Sequence, residues 1–224
     1  MFESKYSKVL TVVLVIVIIA IVALLGFLSY DFIKKYNTSK QASDFVEEYQ
    51  GNLTTGDQEN DIVQENVTLD DANETPITST STSGNSGKKK YEGFTVVGTM
   101  KIPAINLEYP IVQEVSTKAL EKALIALYPS GDNLNLPGNT VVIGHNYRNG
   151  MFFSNLKKLT NGAKIYVTDF RGKSLTYEVY NKFEASSTDT SFYTRDTNGL
   201  AELTLSTCTD ASNDQRTIIF AKQI

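Results

Sequence analysis

Residues Val9–Leu28, VLTVVLVIVIIAIVALLGFL, form an unbroken apolar run with no charge in it. At ~1.5 Å per helical residue, twenty residues reach about 30 Å, the thickness of a bilayer's hydrocarbon core. A cleaved signal peptide is the competing reading. Its apolar region usually runs ~7–15 residues and ends at a small-residue cleavage site. Here the run is longer, and Ser29, Tyr30 and Asp31 follow it. The pattern therefore predicts a retained transmembrane helix over 9–28, with 1–8 as a short head. Phe32, Tyr36, Phe45 and Tyr49 then fall at roughly helical spacing, so Asp31–Gln50 is a candidate for further helix.

From Gly51 to Lys90 the pattern is lost. That stretch holds seven Asp/Glu, no aromatic residue and the tract ITSTSTSGNSGKKK. Such a segment buries too little apolar surface to offset its ordering entropy. Residues 29–90 are accordingly read as a stalk, partly disordered.

From Tyr91 onward apolar residues return in short bursts, with fifteen aromatics over 91–224. Runs rich in Val, Ile, Thr, Tyr and Phe predict strands at Thr95–Ile102, Pro110–Val112, Thr140–Ile143, Lys164–Thr168, Ser174–Phe183, Leu200–Thr207 and Thr217–Ala221. Turn residues punctuate them, among them Pro137-Gly138-Asn139, Asn161-Gly162, Arg171-Gly172 and Asn198-Gly199. One stretch reads as helix. In Thr117–Leu127, residues Ala119, Leu120, Ala123, Leu124 and Leu127 recur at three- and four-residue steps. Many short strands with one or two short helices predict a mainly β domain over 91–224, a closed or nearly closed barrel.

Charge refines this picture. The chain's net charge is −4, yet residues 91–224 carry thirteen Lys/Arg and thirteen Asp/Glu, so the acidic excess lies before them. A neutral domain lacks the basic face that nucleic acid requires. Lys5 and Lys8 before the apolar run nearly balance Lys34, Lys35 and Lys40 after it. Positive charge alone therefore leaves the orientation in the membrane open.

The chain has one cysteine and one histidine. No internal disulfide can form, and a zinc site of about four Cys/His ligands cannot be assembled. Asp132, Asp189, Asp196 and Asp210 lack EF-hand spacing for calcium, and no phosphate-binding glycine loop occurs. Taken singly, Cys208 reads as a small buried hydrophobe, His145 as a hydrogen-bonded structural histidine and Arg216 as a surface residue. Together they say more. His145 and Cys208 each follow an apolar strand, Arg216 opens one, and a barrel gathers strand ends at its rim. Acyl transfer through cysteine needs a thiolate nucleophile, a proton donor for the leaving amine and a stabiliser for the oxyanion. These three residues fill those roles.

Thr204–Cys208, TLSTC, with Arg216 eight residues later on a strand, resembles the signature of the sortase family. Val142-Ile143-Gly144-His145-Asn146 is similar to the strand end that carries the sortase histidine. The order His, Cys, Arg behind an N-terminal anchor and stalk agrees, and the resemblance covers roughly Thr95–Lys222. It implies an eight-stranded β-barrel outside a Gram-positive cell, held by one membrane helix with a cytoplasmic N-terminus. It also implies cleavage of an LPxTG-like signal between Thr and Gly. Transfer to an amine of the cell-wall precursor then anchors surface proteins to peptidoglycan. Cys208 would form the thioester, His145 would move the proton, and Arg216 would hold the oxyanion. Thr207 and Asn146 are further candidates for substrate contact, and the Ser186–Tyr193 loop for reading the signal. No cofactor is implied. Some sortases use calcium, and the sequence identifies no site for it.

Within the family, GHNYRNGMFF at Gly144–Phe153 resembles class B. The segment between Phe183 and Ala201 looks too short for that class's helical insertion, so class B-like and class D-like readings both stand. The lack of an Asp-Pro pair and the end at Ile224 set the sequence apart from pilin-polymerising class C. Two other functions remain open: a cysteine peptidase with water as acceptor, and a non-catalytic surface-binding module.

Overall fold

The computed structural model describes residues 3–56, 88–129 and 131–224. The chain divides into two units, residues 1–42 and 43–224. Helix α1 runs over Glu3–Gly56. In the first unit the apolar side chains of Val9–Leu28 are exposed all round. By length and composition this helix can cross a membrane.

The stalk expected over 29–90 needs redrawing at both ends. Helix continues through it to Gly56, and residues 57–87 lie outside the described residues. In the second unit, Phe45, Tyr49 and Leu53 recur every four residues and form one stripe. The stripe packs in a cluster with Tyr91, Phe94, Val96, Val112, Ala119, Ala123 and Ile125. The Phe45 and Tyr91 rings lie 4.9 Å apart. That burial holds the end of the helix, which composition alone does not reveal. At the other border, Lys90 already belongs to the barrel.

The barrel strands are β1 (Lys90–Tyr91), β2 (Phe94–Ile102), β3 (Leu107–Val112), β4 (Leu124–Tyr128), β5 (Gly138–Ile143), β6 (Lys164–Asp169), β7 (Ser174–Ser186), β8 (Ala201–Cys208) and β9 (Gln215–Gln223). The ring runs β2-β3-β4-β5-β8-β9-β7-β6 and closes through a β2–β6 pairing, with β1 outside it as a short hairpin arm of β2. The result is a closed eight-stranded barrel. Most pairs are antiparallel; β3–β4 and β5–β8 are parallel.

The predicted helix over Thr117–Leu127 is only partly present. Helix α2 covers Thr117–Leu120, capped by the Ser116 hydroxyl, which accepts from the Ala119 amide at 3.1 Å. Leu124–Tyr128 is strand β4, in register with β3 through Ile111 opposite Leu124 and Val112 opposite Ile125. Its first three residues are buried on both faces, so the segment is apolar without alternation. Periodicity cannot tell such a strand from a buried helix.

The barrel interior is filled by Met100, Ile102, Ile111, Phe153, Leu156, Ile165, Val167, Leu203, Leu205 and Ile219, none above 1% exposed. Closure also depends on Gly98. A Cβ there would sit 2.5 Å from the Thr168 carbonyl oxygen and 3.2 Å from the Asp169 Cα, both backbone atoms of β6. Backbone cannot yield as a side chain can. Gly98→Ala is therefore expected to destabilise the fold by roughly 2 kcal/mol, read as a lower urea midpoint in tyrosine fluorescence. An unchanged midpoint would show that the β2–β6 seam relaxes freely.

Candidate active site

Three neighbouring strands carry the residues that the sequence singles out. β8 is paired with β5 on one edge and β9 on the other. The β5–β8 pairing is parallel, so both strands end at the same rim; the β8–β9 pairing is antiparallel, so β9 begins there. Cys208, the last residue of β8, lies opposite Arg216 near the start of β9. On the other edge, Ile143 pairs with Ser206, and His145 follows two residues later. The structure thus brings His145, Cys208 and Arg216 to one rim of the barrel.

Register also sets the face. Side chains alternate along a strand, so Glu202, Thr204, Ser206 and Cys208 share one side of β8. The other side carries Leu203 and Leu205, which are fully buried. Ile218 and Phe220 of β9 lie beside Ser206 and Thr204. This face is roofed by the loop between β7 and β8, residues 187–200, which contains turns and no helix. Phe192 of the loop packs on Ala185 and Ile218, with Phe183, Tyr193 and Phe220 around them.

The loop is pinned by polar contacts as well. Arg195 donates to Glu202 Oε2 from Nη2 at 2.6 Å and from Nε at 3.2 Å, and its Nη1 donates to the Thr204 hydroxyl. Its guanidinium lies 4.0 Å from the centre of the Phe220 ring. Asn139 Nδ2 donates to the carbonyls of Phe192 and Tyr193 at 3.2 and 3.0 Å. The Tyr180 hydroxyl donates to Glu202 Oε2 at 2.7 Å. Burial raises the Tyr193 pKa, and the nearby charge of Arg216 opposes that rise.

At the rim, Arg216 Nη1 donates to the Cys208 sulfur at 3.4 Å, within the reach of a sulfur hydrogen bond. It also donates to the carbonyls of Asn213 and Gln215. Cys208 and Arg216 are each partly exposed, so the pair is neither sealed in the core nor free in solvent. The His145 ring is half-buried and lies against Tyr147, with centroids 4.6 Å apart. Burial lowers the His145 pKa, and the Glu121 carboxylate partly opposes this. Gly144 precedes the ring for reasons of space. A Cβ there would meet Leu124 Cδ2 at 2.7 Å and Phe153 Cδ2 at 2.9 Å.

Thr207 and Asn146 have partners of their own. Thr207 is buried on the opposite side of β8 from Cys208, and its hydroxyl donates to the Gly144 carbonyl at 2.7 Å. That contact braces the turn that aims His145. Asn146 Nδ2 donates to the Cys208 carbonyl and to Asp210 Oδ1, both at 2.8 Å. Asp210, Arg148, Arg195 and Asn139 were not singled out from the sequence as parts of this site. Their contacts join residues up to 65 positions apart, beyond any local pattern. Their nearness to His145 and Cys208 in the chain was the one available signal for Arg148 and Asp210.

Of the acidic residues considered for calcium, Asp132 pairs with Lys88 and Asp210 with Lys157. Asp189 and Asp196 accept from the backbone amides of Ser191 and Asn198. Among the described residues, no group of three or more His, Cys, Asp or Glu side chains gathers to hold a metal ion.

A closed eight-stranded barrel with a thiol and a guanidinium paired at its rim defines a class. A family model described as the sortase domain matches residues 100–224. That is more than half of the chain, which belongs to the sortase family. Sortase A of Bacillus anthracis is 27% identical over 133 residues, covering 56% of this chain and 58% of that protein. Sortase A of Streptococcus agalactiae serotype III is 27% identical over 141 residues, 61% of this chain and 56% of that protein. The chain therefore spans little more than half the length of these curated relatives. Among solved structures, Sortase A from Corynebacterium diphtheriae superposes with a TM-score of 0.52 at 30% identity, covering 58% of this chain and 61% of that one.

With one histidine in the chain, a single imidazole signal reports on the site. Its proton NMR titration is expected to have a midpoint below the ordinary ~6.5, because desolvation penalises the charged ring. A midpoint above that value would mean that Glu121 outweighs burial.

Proposed function

We propose that this protein is a membrane-anchored cysteine transpeptidase that cleaves an LPxTG-like sorting signal and joins the product to an amine. The observation that carries this reading is the Arg216–Cys208 contact of 3.4 Å across adjacent strands, with His145 at the end of the parallel neighbour. The Cys208 sulfur attacks the threonine carbonyl carbon, and Arg216 donates hydrogen bonds to the oxygen as it gains charge. The C–N bond breaks, His145 protonates the departing glycine amine, and a thioester remains on Cys208. An incoming amine then attacks the thioester, His145 takes its proton, and the sulfur leaves.

The apolar helix supports a single-pass anchor, with the barrel on the outer face of the cell. The fitting partners are surface proteins that bear the sorting signal and an amine of the peptidoglycan precursor. The absence of helix between β7 and β8 favours the class D-like reading over the class B-like one.

The test is cleavage of fluorogenic LPxTG-like peptides by the full chain in detergent micelles, with and without triglycine. Cys208→Ala is expected to reduce cleavage to background. His145→Ala and Arg216→Ala are each expected to lower kcat/KM by about 10²–10³, with the double variant little worse, since members of a catalytic unit fail together. Triglycine should divert product from the free acid to the joined peptide. Cleavage that survives Cys208→Ala would remove the nucleophile. Hydrolysis indifferent to triglycine would make the protein a peptidase.

The dependence on pH follows from the same groups. The working form needs a protonated ring beside an ionised sulfur. Because burial lowers the ring's pKa, that form is a minority at neutral pH. The kcat/KM profile should be bell-shaped with its acid limb below ~6.5. A flat profile from roughly pH 5 to 10 would contradict the acid role of His145.

A further inference from the structure

The backbone ladder between β5 and β8 ends just short of the proposed chemistry. Its last rung beyond the strands is the Gly144 amide donating to the Ser206 carbonyl at 3.3 Å. In a straight parallel ladder, the next amide donated from the β5 side would be that of residue 146, to the residue-208 carbonyl, two positions on in each strand. The chain turns at His145 instead, and side chains take over. Asn146 Nδ2 occupies that rung, donating to the Cys208 carbonyl at 2.8 Å. Arg148 reaches the next two carbonyls, from Nη2 to Thr209 at 3.3 Å and from Nε to Asp210 at 2.8 Å.

Three consecutive carbonyls, from the last residue of β8 onward, are thus held by two side chains from the segment after His145. The holders are themselves fixed. Asp210 Oδ1 accepts the same Asn146 amide group at 2.8 Å, and Asn146 Oδ1 accepts from the Arg148 backbone amide at 2.9 Å. The His145 carbonyl accepts from the Phe153 amide at 3.0 Å, which closes the segment behind the ring.

We propose that Asn146, Arg148 and Asp210 are positioning residues that set the separation of the His145 ring and the Cys208 sulfur, continuing with side chains the ladder that the backbone abandons. This rests on the reading of His145 and Cys208 as proton donor and nucleophile. None of the three positioning residues needs to touch the substrate. Displacing reacting groups by about 1 Å costs on the order of 10²-fold in rate. The loss should therefore fall on kcat rather than on KM.

The experiment compares full-length wild type, Asn146→Ala, Arg148→Ala, Asp210→Ala and Asp210→Asn, with kcat expressed per thiol titrated under native conditions. Both alanine variants at 146 and 210 should lose about tenfold or more in kcat, with KM within about twofold. Their double variant should lose little beyond either single one, because they act as a unit. Asp210→Asn keeps an oxygen for the Asn146 amide and should recover most of the activity. Lys157→Met breaks only the exposed ion pair to Asp210 and should behave as wild type, since such pairs contribute little.

A loss of thermal stability at unchanged kcat per thiol would overturn the proposal and leave a structural brace. So would a rise in KM at constant kcat, which would make Asn146 a substrate contact. Failure of Asp210→Asn to rescue would also overturn it, by placing the effect in the charge. If one alanine variant does not fold, the Arg148→Ala and Asp210→Asn pair decides on the same readouts. Activity that survives Cys208→Ala would instead remove the underlying reading, an outcome separate from all of these.

Discussion

Strand β8 is hydrogen-bonded on both edges, and the two edges are of opposite kind. A parallel neighbour on one side and an antiparallel neighbour on the other bring one strand end, a second strand end and one strand start to the same rim. Reactive groups on three such strands can meet only if they occur as an end, an end and a start in chain order. His145, Cys208 and Arg216 occur in that order. Any slip of β8 by one residue would turn Cys208 inward and Thr207 outward, because side-chain direction alternates. The fully buried Leu203 and Leu205 make that slip costly, since it would push both out of the core. The apolar interior therefore fixes which residue of Thr207-Cys208 faces the rim.

Above this platform lies the loop between β7 and β8. Residues 187–200 are held by a partly buried charge pair, Arg195 with the buried Glu202, whose polar atoms have further partners in Thr204, Tyr180 and the Phe192 carbonyl. A charge taken from water is tolerated only when so compensated. Stacking of Arg195 on Phe220 shields it further. The consequence is a loop fixed over the outer face of β8 and β9 by charge, ring and backbone contacts together.

How much of this was legible depended on range. The long apolar helix, all seven predicted strands to within three residues at either end, and the three strand-end residues follow from local apolar runs and their edges. Ser174–Phe183 extends to Ser186, because Ala185 and Ser186 pair with Arg216 and Gln215 rather than by any apolar run of their own. Leu124–Tyr128 was hidden for a physical reason: a strand buried on both faces next to a genuine helical turn presents the same spacing as a longer helix. The helical arm from Ser43 was half visible, since Phe45 and Tyr49 fall at helical spacing, but Leu53 continues the stripe past Gln50 and its partner Tyr91 lies across residues 57–87. Thr207 and Asn146 stand out in the sequence as candidate substrate contacts only by adjacency to Cys208 and His145, while their hydrogen bonds to Gly144 and to Cys208 and Asp210 needed coordinates. Pattern reveals which residues lie on a face; it does not reveal which carbonyl a side chain will reach 60 positions away.

A reacting group in a β-barrel faces a conflict. Inside the sheet it is held by the ladder but shielded by its neighbours; beyond the sheet it is reachable but has lost the backbone bonds that fix it. Cys208 stays within the β8–β9 ladder and is exposed by lying at its last position. His145 does not do the same: it lies two residues past the end of β5, and Gly144 before it is packed too closely against Phe153 and Leu124 to carry a side chain. The order lost at that turn is restored from both sides of β8. Thr207 reaches back to the Gly144 carbonyl, and Asn146 reaches across to the Cys208 carbonyl. Each bond ties a residue next to His145 or Cys208 to the backbone of the other strand's segment. A strand end becomes a usable site when side chains replace the rungs it gives up, and here the residues flanking the histidine and the cysteine serve that purpose.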